Sequence, residues 1–291
     1  MKDSFLRRKR NYNLPYLIAA VICSLTITTS TLADYPQNVT SPSAGLAISR
    51  NAADFNLNAL TTLGGYDKAV FFIDPGWTYT ESWKHGGTSK ELNAGTGIRL
   101  YTPNIFEDGA VVGANLYYDK KWTVNDNTYN QFGLGFELLS DYIDARINGF
   151  VPGANKKRIS GSGKQTYFSQ TAVHSMSNSS NEYAFTGYTS ELGIRLPFEK
   201  DLGIFRIYGG YDDFRASGIS NASTWKVKAT YSPTRYVQFA FNYYSDKSPY
   251  NSHWLLGVNA SIPLDWAGFR IVDRQDRSAP VSRMHERVVR W

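Results

Sequence analysis

The sequence predicts an all-β fold, an antiparallel barrel of twelve strands, and three observations carry that expectation. Segments of nine to eleven residues alternate apolar with small or polar residues over most of the chain, the pattern of strands whose two faces meet different surroundings. The connections between these segments alternate short and long. The 291 residues include 20 Tyr, 16 Phe, 7 Trp and 24 Gly, yet only 19% are charged, against about 25% in an average soluble domain. A mean hydropathy of −0.37 and the lack of any run of roughly 18 apolar residues exclude a bundle of membrane helices.

The chain opens with an export signal. Lys2, Arg7, Arg8, Lys9 and Arg10 form a positive region, and Leu14 to Ile27 form an apolar core too short to span a bilayer. Thr31-Leu32-Ala33 supplies the small-x-small cleavage site, so residues 1–33 are read as a signal peptide. Of 31 basic residues five lie in this leader, and of 25 acidic residues one, so the remainder holds 26 and 24. The formal charge thereby falls from +6 to +2, and nucleic-acid binding loses its support. The single cysteine, Cys23, also lies in the leader, so no disulfide is expected afterwards.

Residues 34–52 are expected to form a short periplasmic segment ahead of a barrel spanning 53–264. The first strand is placed at 53–60, with Phe55, Leu57 and Ala59 opposite Asp54, Asn56 and Asn58; an even strand count, which periplasmic ends demand, requires it. A strand at 66–73 follows, then a turn at 73–76, where Asp74-Pro75-Gly76 has the residues of a tight turn. Alternation then sets Ala94, Thr96, Ile98 and Leu100 against Gly95, Gly97 and Arg99. Val112, Ala114, Leu116 and Tyr118 oppose Gly113, Asn115, Tyr117 and Asp119, and Phe132, Leu134, Phe136 and Leu138 oppose Gly133, Gly135 and Glu137. Ile143, Ala145 and Ile147 oppose Asp144, Arg146 and Asn148, and the pattern recurs at 191–196, 204–212, 225–231, 236–244 and 254–262. Residues 152–182 stay outside the strand count as one long outer excursion, drawn as a protruding hairpin.

One face of these strands is aliphatic and aromatic. The other carries Gly, Asn and six cations with five carboxylates: Arg99, Asp119, Glu137, Asp144, Arg146, Glu191, Arg195, Arg206, Asp212, Lys226 and Lys228. A water-facing sheet has no use for Gly, which weakens strands. A narrow lumen does favour small residues and charges that neutralise one another. The expected structure is thus a transmembrane barrel of the bacterial outer membrane, with those eleven residues forming a lumen charge network. Trp77, Trp83, Trp122, Trp225 and Trp254 fall near expected strand ends, where interfacial girdles lie. The short connections at 73–76, 103–110, 140–141, 198–202 and 233–235 are expected in the periplasm. The longer ones at 85–91, 121–129, 152–182, 214–222 and 246–252 are expected outside the cell.

Residues 113–152 carry a more specific signal. They contain Gly113-x-Asn115-x-Tyr117-Tyr118-Asp119, Gly133-Leu134-Gly135-x-Glu137, Ser140-Asp141-Tyr142 and Asn148-Gly149-Phe150-x-Pro152. This run resembles the core of the inverse autotransporter β-barrel family, the membrane domain of intimin- and invasin-type adhesins. The stretch at 93–101 resembles the strand before it, the likeness continues more loosely to Leu264, and 279–289 resembles the stretch after the barrel. The resemblance implies a translocator and anchor that passes a C-terminal adhesive passenger through its lumen. It also implies periplasmic chaperones and the barrel-assembly machinery as partners, with a host or cell-surface receptor wherever a passenger is present. The sequence ends at Trp291 without such a passenger. The Arg-rich tail 265–291 (Arg270, Arg274, Arg277, Arg283, Arg287, Arg290) is read either as a lumen plug or as an unstructured periplasmic tail.

Little catalytic chemistry is legible. No phosphate-binding loop, dinucleotide fingerprint or cysteine metal site occurs, and His85, His174, His253 and His285 are scattered. Asp212, Asp213 and His253 are the only rim group resembling a hydrolase site, and no catalytic, cofactor or metal-binding residue is assigned. Lys156, Lys157, Arg158 and Lys164 form a basic cluster on the long loop, either solvated or facing lipopolysaccharide phosphates. The function expected is an adhesin-type translocator and anchor without its passenger. The alternative is a stand-alone outer-membrane pore or structural barrel.

Overall fold

The fold comes from a computed structural model, which describes residues 39–50, 52–66, 69–83, 87–102, 106, 109–159, 175–177, 181–198, 202–234, 236–246, 252–262, 264–265 and 270–271. All of these belong to the unit Tyr35–Trp291. The expected signal peptide lies outside the described residues, as do His85, His174, His285 and Lys164.

Twelve strands form the wall. They are β1 (Val39–Ser49), β2 (Ala52–Tyr66), β3 (Ala69–Ser82), β4 (Gly87–Thr102), β5 (Ala110–Trp122), β6 (Thr128–Ser140) and β7 (Ile143–Pro152), then β11 (Thr186–Arg195), β12 (Ile204–Arg215), β13 (Ala222–Thr234), β14 (Val237–Asp246) and β15 (His253–Ser261). Each pairs antiparallel with the next, and β15 pairs with β1 from Ser43↔Ser261 to Ser49↔Leu255, which closes the sheet. Closure removes both edges and satisfies every backbone row between strands, the condition for crossing a bilayer with β-structure. Between β7 and β11 lie three short strands, β8 (Lys156–Arg158), β9 (Ser175–Ser177) and β10 (Asn181–Ala184), in a separate sheet ordered β8-β10-β9.

The alternation fixes which side chains meet the interior. Along β5 and β6, Val112, Leu116, Tyr118, Phe132, Leu134 and Phe136 are exposed on the outer face, while Tyr117, Asp119, Gln131 and Glu137 are buried within. Leu192, Ile194, Val227, Phe239, Phe241, Leu256 and Val258 continue the outer belt. Large apolar side chains exposed all round a closed sheet reverse the order of a water-soluble protein, and lipid is the solvent that suits them.

Two expectations about the first strands are corrected. The barrel begins with β1 at Val39–Ser49, so 34–52 is not a segment ahead of it and 53–60 belongs to the second strand. Pro42, Ala44 and Ile48 alternate with Ser41, Ser43 and Ala47 across its two faces, but the small residues and Pro42 give it the composition of a linker. The expected turn at 73–76 is also absent, because β3 runs through Asp74-Pro75-Gly76. Pro75 has no N–H to give, and the ladder to β2 passes from Asn58↔Gly76 to Thr61↔Ile73 with no pair between. Pro75 points outward and is exposed. The two misplacements offset each other, which is why the count of twelve survives. Trp77 consequently sits within a strand rather than at its end, edge-on to Phe55 and stacked on Tyr79 at 6.1 Å from each.

Strand connections fall at two ends. Residues 67–68, 103–109, 141–142, 196–203 and 235–236 join strands at one end, the turn end; 50–51, 83–86, 123–127, 153–185, 216–221 and 247–252 join them at the other, the loop end. Trp83, Trp122, Trp225 and Trp254 all lie at or near the loop end with exposed rings. The end of the long excursion, at 182, and the three residues after it depart from the expected protruding hairpin. Glu182, Tyr183, Ala184 and Phe185 are buried, and Tyr183 and Phe185 pack against the inward-facing Phe150, Phe214 and Ala222. The segment therefore folds into the loop-end mouth of the barrel. Apolar burial drives this, because Phe150 and Phe214 would otherwise face the lumen.

Candidate functional site

The lumen wall is built from a repeated device in which a long side chain crosses a glycine to reach a partner two strands away. Tyr117 on β5 stands opposite Gly95 on β4, which stands opposite Asp74 on β3. The Tyr117 hydroxyl donates to Asp74 Oδ2 at 2.9 Å. The same triplet recurs at Tyr208 on β12, Gly193 on β11 and Asp144 on β7, with the hydroxyl 3.0 Å from Asp144 Oδ2. Arg99 on β4 crosses Gly113 on β5 in the same way, its Nε donating to Glu137 Oε1 on β6. Neighbouring strands lie about 4.8 Å apart, so a partner two strands away is within reach only of a long side chain passing close over the strand between. A Cβ on Gly95 would come within 1.9 Å of the Tyr117 ring, and one on Gly193 within 2.2 Å of the Tyr208 ring. The inward glycines are therefore seats for their neighbours' side chains.

Five charged groups link along β7 to β13. Arg206 Nη1 lies 3.1 Å from Asp144 Oδ2 and Arg146 Nη2 3.3 Å from the same atom. Arg146 Nη1 donates to Glu191 Oε1 at 2.8 Å, and Lys228 Nζ donates to that oxygen at 2.9 Å. The chain Arg206–Asp144–Arg146–Glu191–Lys228 alternates in sign throughout, and Lys228 Nζ also sits 4.0 Å from the Tyr208 ring centroid. Lys226 donates to Asp212 at 3.0 Å as a separate pair. Register accounts for the alternation: Glu137, Arg146 and Glu191 stand directly opposite one another on β6, β7 and β11, and cross-strand neighbours of opposite charge attract.

Ten of the eleven residues assigned to the lumen from sequence thus fall among buried or inward-facing partners. Nine of these, Arg99, Glu137, Asp144, Arg146, Glu191, Arg206, Asp212, Lys226 and Lys228, form the ion pairs above. Asp119 instead accepts from Asn93 Nδ2 at 2.8 Å, and that nitrogen also donates to Glu91 Oε1 at 2.8 Å. Arg195, last residue of β11, joins none of these pairs among the described residues; its N–H donates to the Tyr142 carbonyl across the turn end. Sequence reasoning missed Asp74, Glu91 and Lys121. Asp74 was hidden in an apparent turn, and Glu91 and Lys121 in apparent loops. Lys121 Nζ lies 3.9 Å from Glu91 Oε2. Tyr117 was placed on the inner face, but its hydroxyl bond to β3 required the spatial order of strands.

At the loop-end mouth Glu182 is held from several sides. Thr123 Oγ1 and Asn127 Nδ2 donate to its Oε2 at 2.7 and 2.9 Å, and the Tyr129 hydroxyl donates to its carbonyl at 2.7 Å. Gln131 Nε2 donates to the Phe185 carbonyl at 3.2 Å, and Lys157 Nζ donates to the Thr128 carbonyl. These polar anchors tie the inserted segment to β6. The basic cluster is therefore divided: Lys157 turns to the barrel, and Lys156 lies 5.4 Å from the Tyr183 ring.

The rim group of Asp212, Asp213 and His253 is not assembled. Asp212 points inward to Lys226, while Asp213 points outward, accepting from Arg215 Nη2 at 2.6 Å and from Ser223. His253 stacks on Tyr244 at 4.6 Å, on the far side of β13 and β14. Among the described residues no cluster of three His, Cys, Asp or Glu is arranged to hold a metal ion.

A closed sheet of twelve strands, an apolar exterior and a charged, glycine-seated interior define an outer-membrane barrel. The family model described as the inverse autotransporter β-domain matches residues 56–262, and the chain belongs to that family. It is thus a barrel of the bacterial outer membrane, in a family of translocator β-domains rather than of enzymes. No curated protein sequence matches it. Among solved structures it is similar to one from a study of the in-meso crystallization of membrane proteins, with a TM-score of 0.58 at 16% identity, over 79% of this chain and 87% of that one. Matches at lower similarity include the β-domain of the Bordetella autotransporter BrkA (TM-score 0.42, 11% identity, 78% of this chain and 100% of that one). The translocator domain of NalP from Neisseria meningitidis is another (TM-score 0.41, 9% identity, 85% and 93%).

Proposed function

We propose that the barrel anchors in the outer membrane with its loop end facing outward and leads the chain that follows β15 through the lumen toward the cell surface. One observation carries the direction. β16 (Leu264–Asp265) continues β15 in the same register against β1, and β17 (Arg270–Ile271) pairs antiparallel with β16. The chain therefore reverses at the turn end and leaves β17 running parallel to β1, toward the loop end. Family membership supports the same direction of transport. The orientation follows the rule that bacterial barrels place short turns in the periplasm.

In this reading the neutralised ion pairs keep the lumen wall rigid without giving it a strong net field. The residues expected as a plug, 265–291, lie outside the described residues apart from β16 and β17. The protein does no covalent chemistry. Periplasmic chaperones and the barrel-assembly machinery deliver it to the membrane, and any receptor belongs to a passenger. Fusing an epitope-tagged folded domain after Trp291 tests the proposal. Antibody should label the tag on intact cells, whereas a tag reached only after the outer membrane is opened would sink the export reading. Deleting 266–291 tests lumen occupancy separately: single-channel conductance should rise, and an unchanged value would return these residues to the periplasm.

A further inference from the structure

The outer wall carries one group of charges that the lipid-facing belt does not explain. Lys90 on β4 and Lys120 on β5 both point outward, on adjacent strands whose register sets Lys90 opposite Trp122 and Leu92 opposite Lys120. Neither makes an ion pair or hydrogen bond with a described residue. Lys120 Nζ lies 5.1 Å from the Trp122 ring centroid. Glu81 on β3, one step nearer the loops, pairs with neither lysine. Arg215, which also faces outward, is by contrast held by Asp213 at 2.6 Å.

The height of the two lysines points to their partner. Below them the outward positions are Leu92, Ala94, Thr96, Ile98 and Leu100 on β4, and Ala114, Leu116 and Tyr118 with Val112 on β5; the one hydroxyl among those on β4, on Thr96, is spent on the Phe72 carbonyl at 3.0 Å. At about 3.4 Å per residue and a strand tilt of about 40°, Lys120 stands roughly 21 Å above Val112 and Lys90 roughly 26 Å above Leu100. An outer-membrane barrel's apolar band is about 25 Å tall, so both amines emerge at its loop-end border beside an aromatic ring. A lysine at that border extends its stem along the lipid and needs an anion in the headgroup layer.

We propose that Lys90, Lys120 and Trp122 bind the phosphorylated glucosamine headgroup of an outer-leaflet glycolipid, with the lysines on phosphate and the indole against a sugar or acyl edge. The site rests on the loop end facing outward, which single-cysteine labelling tests separately. The experiment titrates the full chain in detergent with diphosphoryl lipid A and reads bound lipid by native mass spectrometry. Lys90→Gln with Lys120→Gln should weaken binding about tenfold, and the double Arg variant should restore it. Fully dephosphorylated lipid A should bind the unaltered protein as weakly as diphosphoryl lipid A binds the Gln variant. Equal affinity of the Gln variant and the unaltered protein would overturn the site, as would equal binding of phosphatidylglycerol. Displacement by inorganic pyrophosphate at the lipid's own concentration would also overturn it, since the lipid body would then contribute nothing. Should the double Gln variant fail to fold, the comparison of phosphorylated with dephosphorylated lipid on the unaltered protein decides alone.

Discussion

The tyrosine–glycine–aspartate triplets show how single residues hold the wall. Tyr117 and Tyr208 each need an unoccupied space at the glycine they cross, and the space exists only because Gly95 and Gly193 lack a Cβ. Gly95→Val should displace the Tyr117 ring and cost about 1–3 kcal/mol, read as a lower midpoint for loss of the compact band on heated gels. Tyr117→Phe removes only the donor to Asp74 and should cost about 1–3 kcal/mol; no change in midpoint would mean that the hydroxyl bond adds nothing. Glu191 accepts from Arg146 and Lys228, so Glu191→Gln leaves two cations facing a neutral amide. A loss on the order of 3 kcal/mol is expected, partly recovered by the added change Lys228→Met.

Among the elements, β10 and β1 depart furthest from a simple barrel. The inserted segment fills the loop-end mouth through Phe185 and Tyr183 against Phe150 and Phe214. Replacing 181–185 with a Gly-Ser stretch should raise single-channel conductance, since it removes the aromatic side chains from the mouth. Unchanged conductance would place the constriction elsewhere. β1 lies ahead of the region matched by the family model, which begins inside β2. It nonetheless supplies, among the described residues, the only partner for β15's second edge, from Ser43↔Ser261 to Ser49↔Leu255. Deleting 39–49 should leave an open sheet that neither folds to the heat-resistant compact form nor accumulates in the outer membrane, because two unpaired strand edges cannot be buried in lipid.

For the molecule as a whole, orientation is the property to measure. The sole cysteine is Cys23, outside the barrel, so single cysteines introduced into the barrel of a Cys23→Ser chain are clean reporters. An impermeant thiol reagent on intact cells should label Ser217→Cys at the loop end and not Thr234→Cys at the turn end. The opposite pattern would invert the barrel and with it the direction of export. Much of this architecture was legible beforehand. The inward and outward assignment of Val112 to Asp119 and of Phe132 to Glu137 followed from period-two alternation, since a strand cannot turn one residue without turning all of them. The strands at Val39–Ser49 and across Asp74-Pro75-Gly76 were not legible. Small residues and a Pro-Gly pair read locally as linker and turn, and only pairing with neighbours holds them extended.

The sequence by itself determined the outer belt, the inner face, the membrane and the family, because each depends on residue type at a fixed period or spacing. It could not determine which inward charges meet. Arg146 reaches Glu191 across a separation of 45 residues, and Lys228 reaches the same oxygen across 37; strand order and register alone bring them together. The tertiary structure likewise decided that the end of the long excursion enters the mouth, since the aromatic side chains it covers, Phe150 on β7 and Phe214 on β12, are far apart in the chain and meet only because both strands pair with β11, at Gly187.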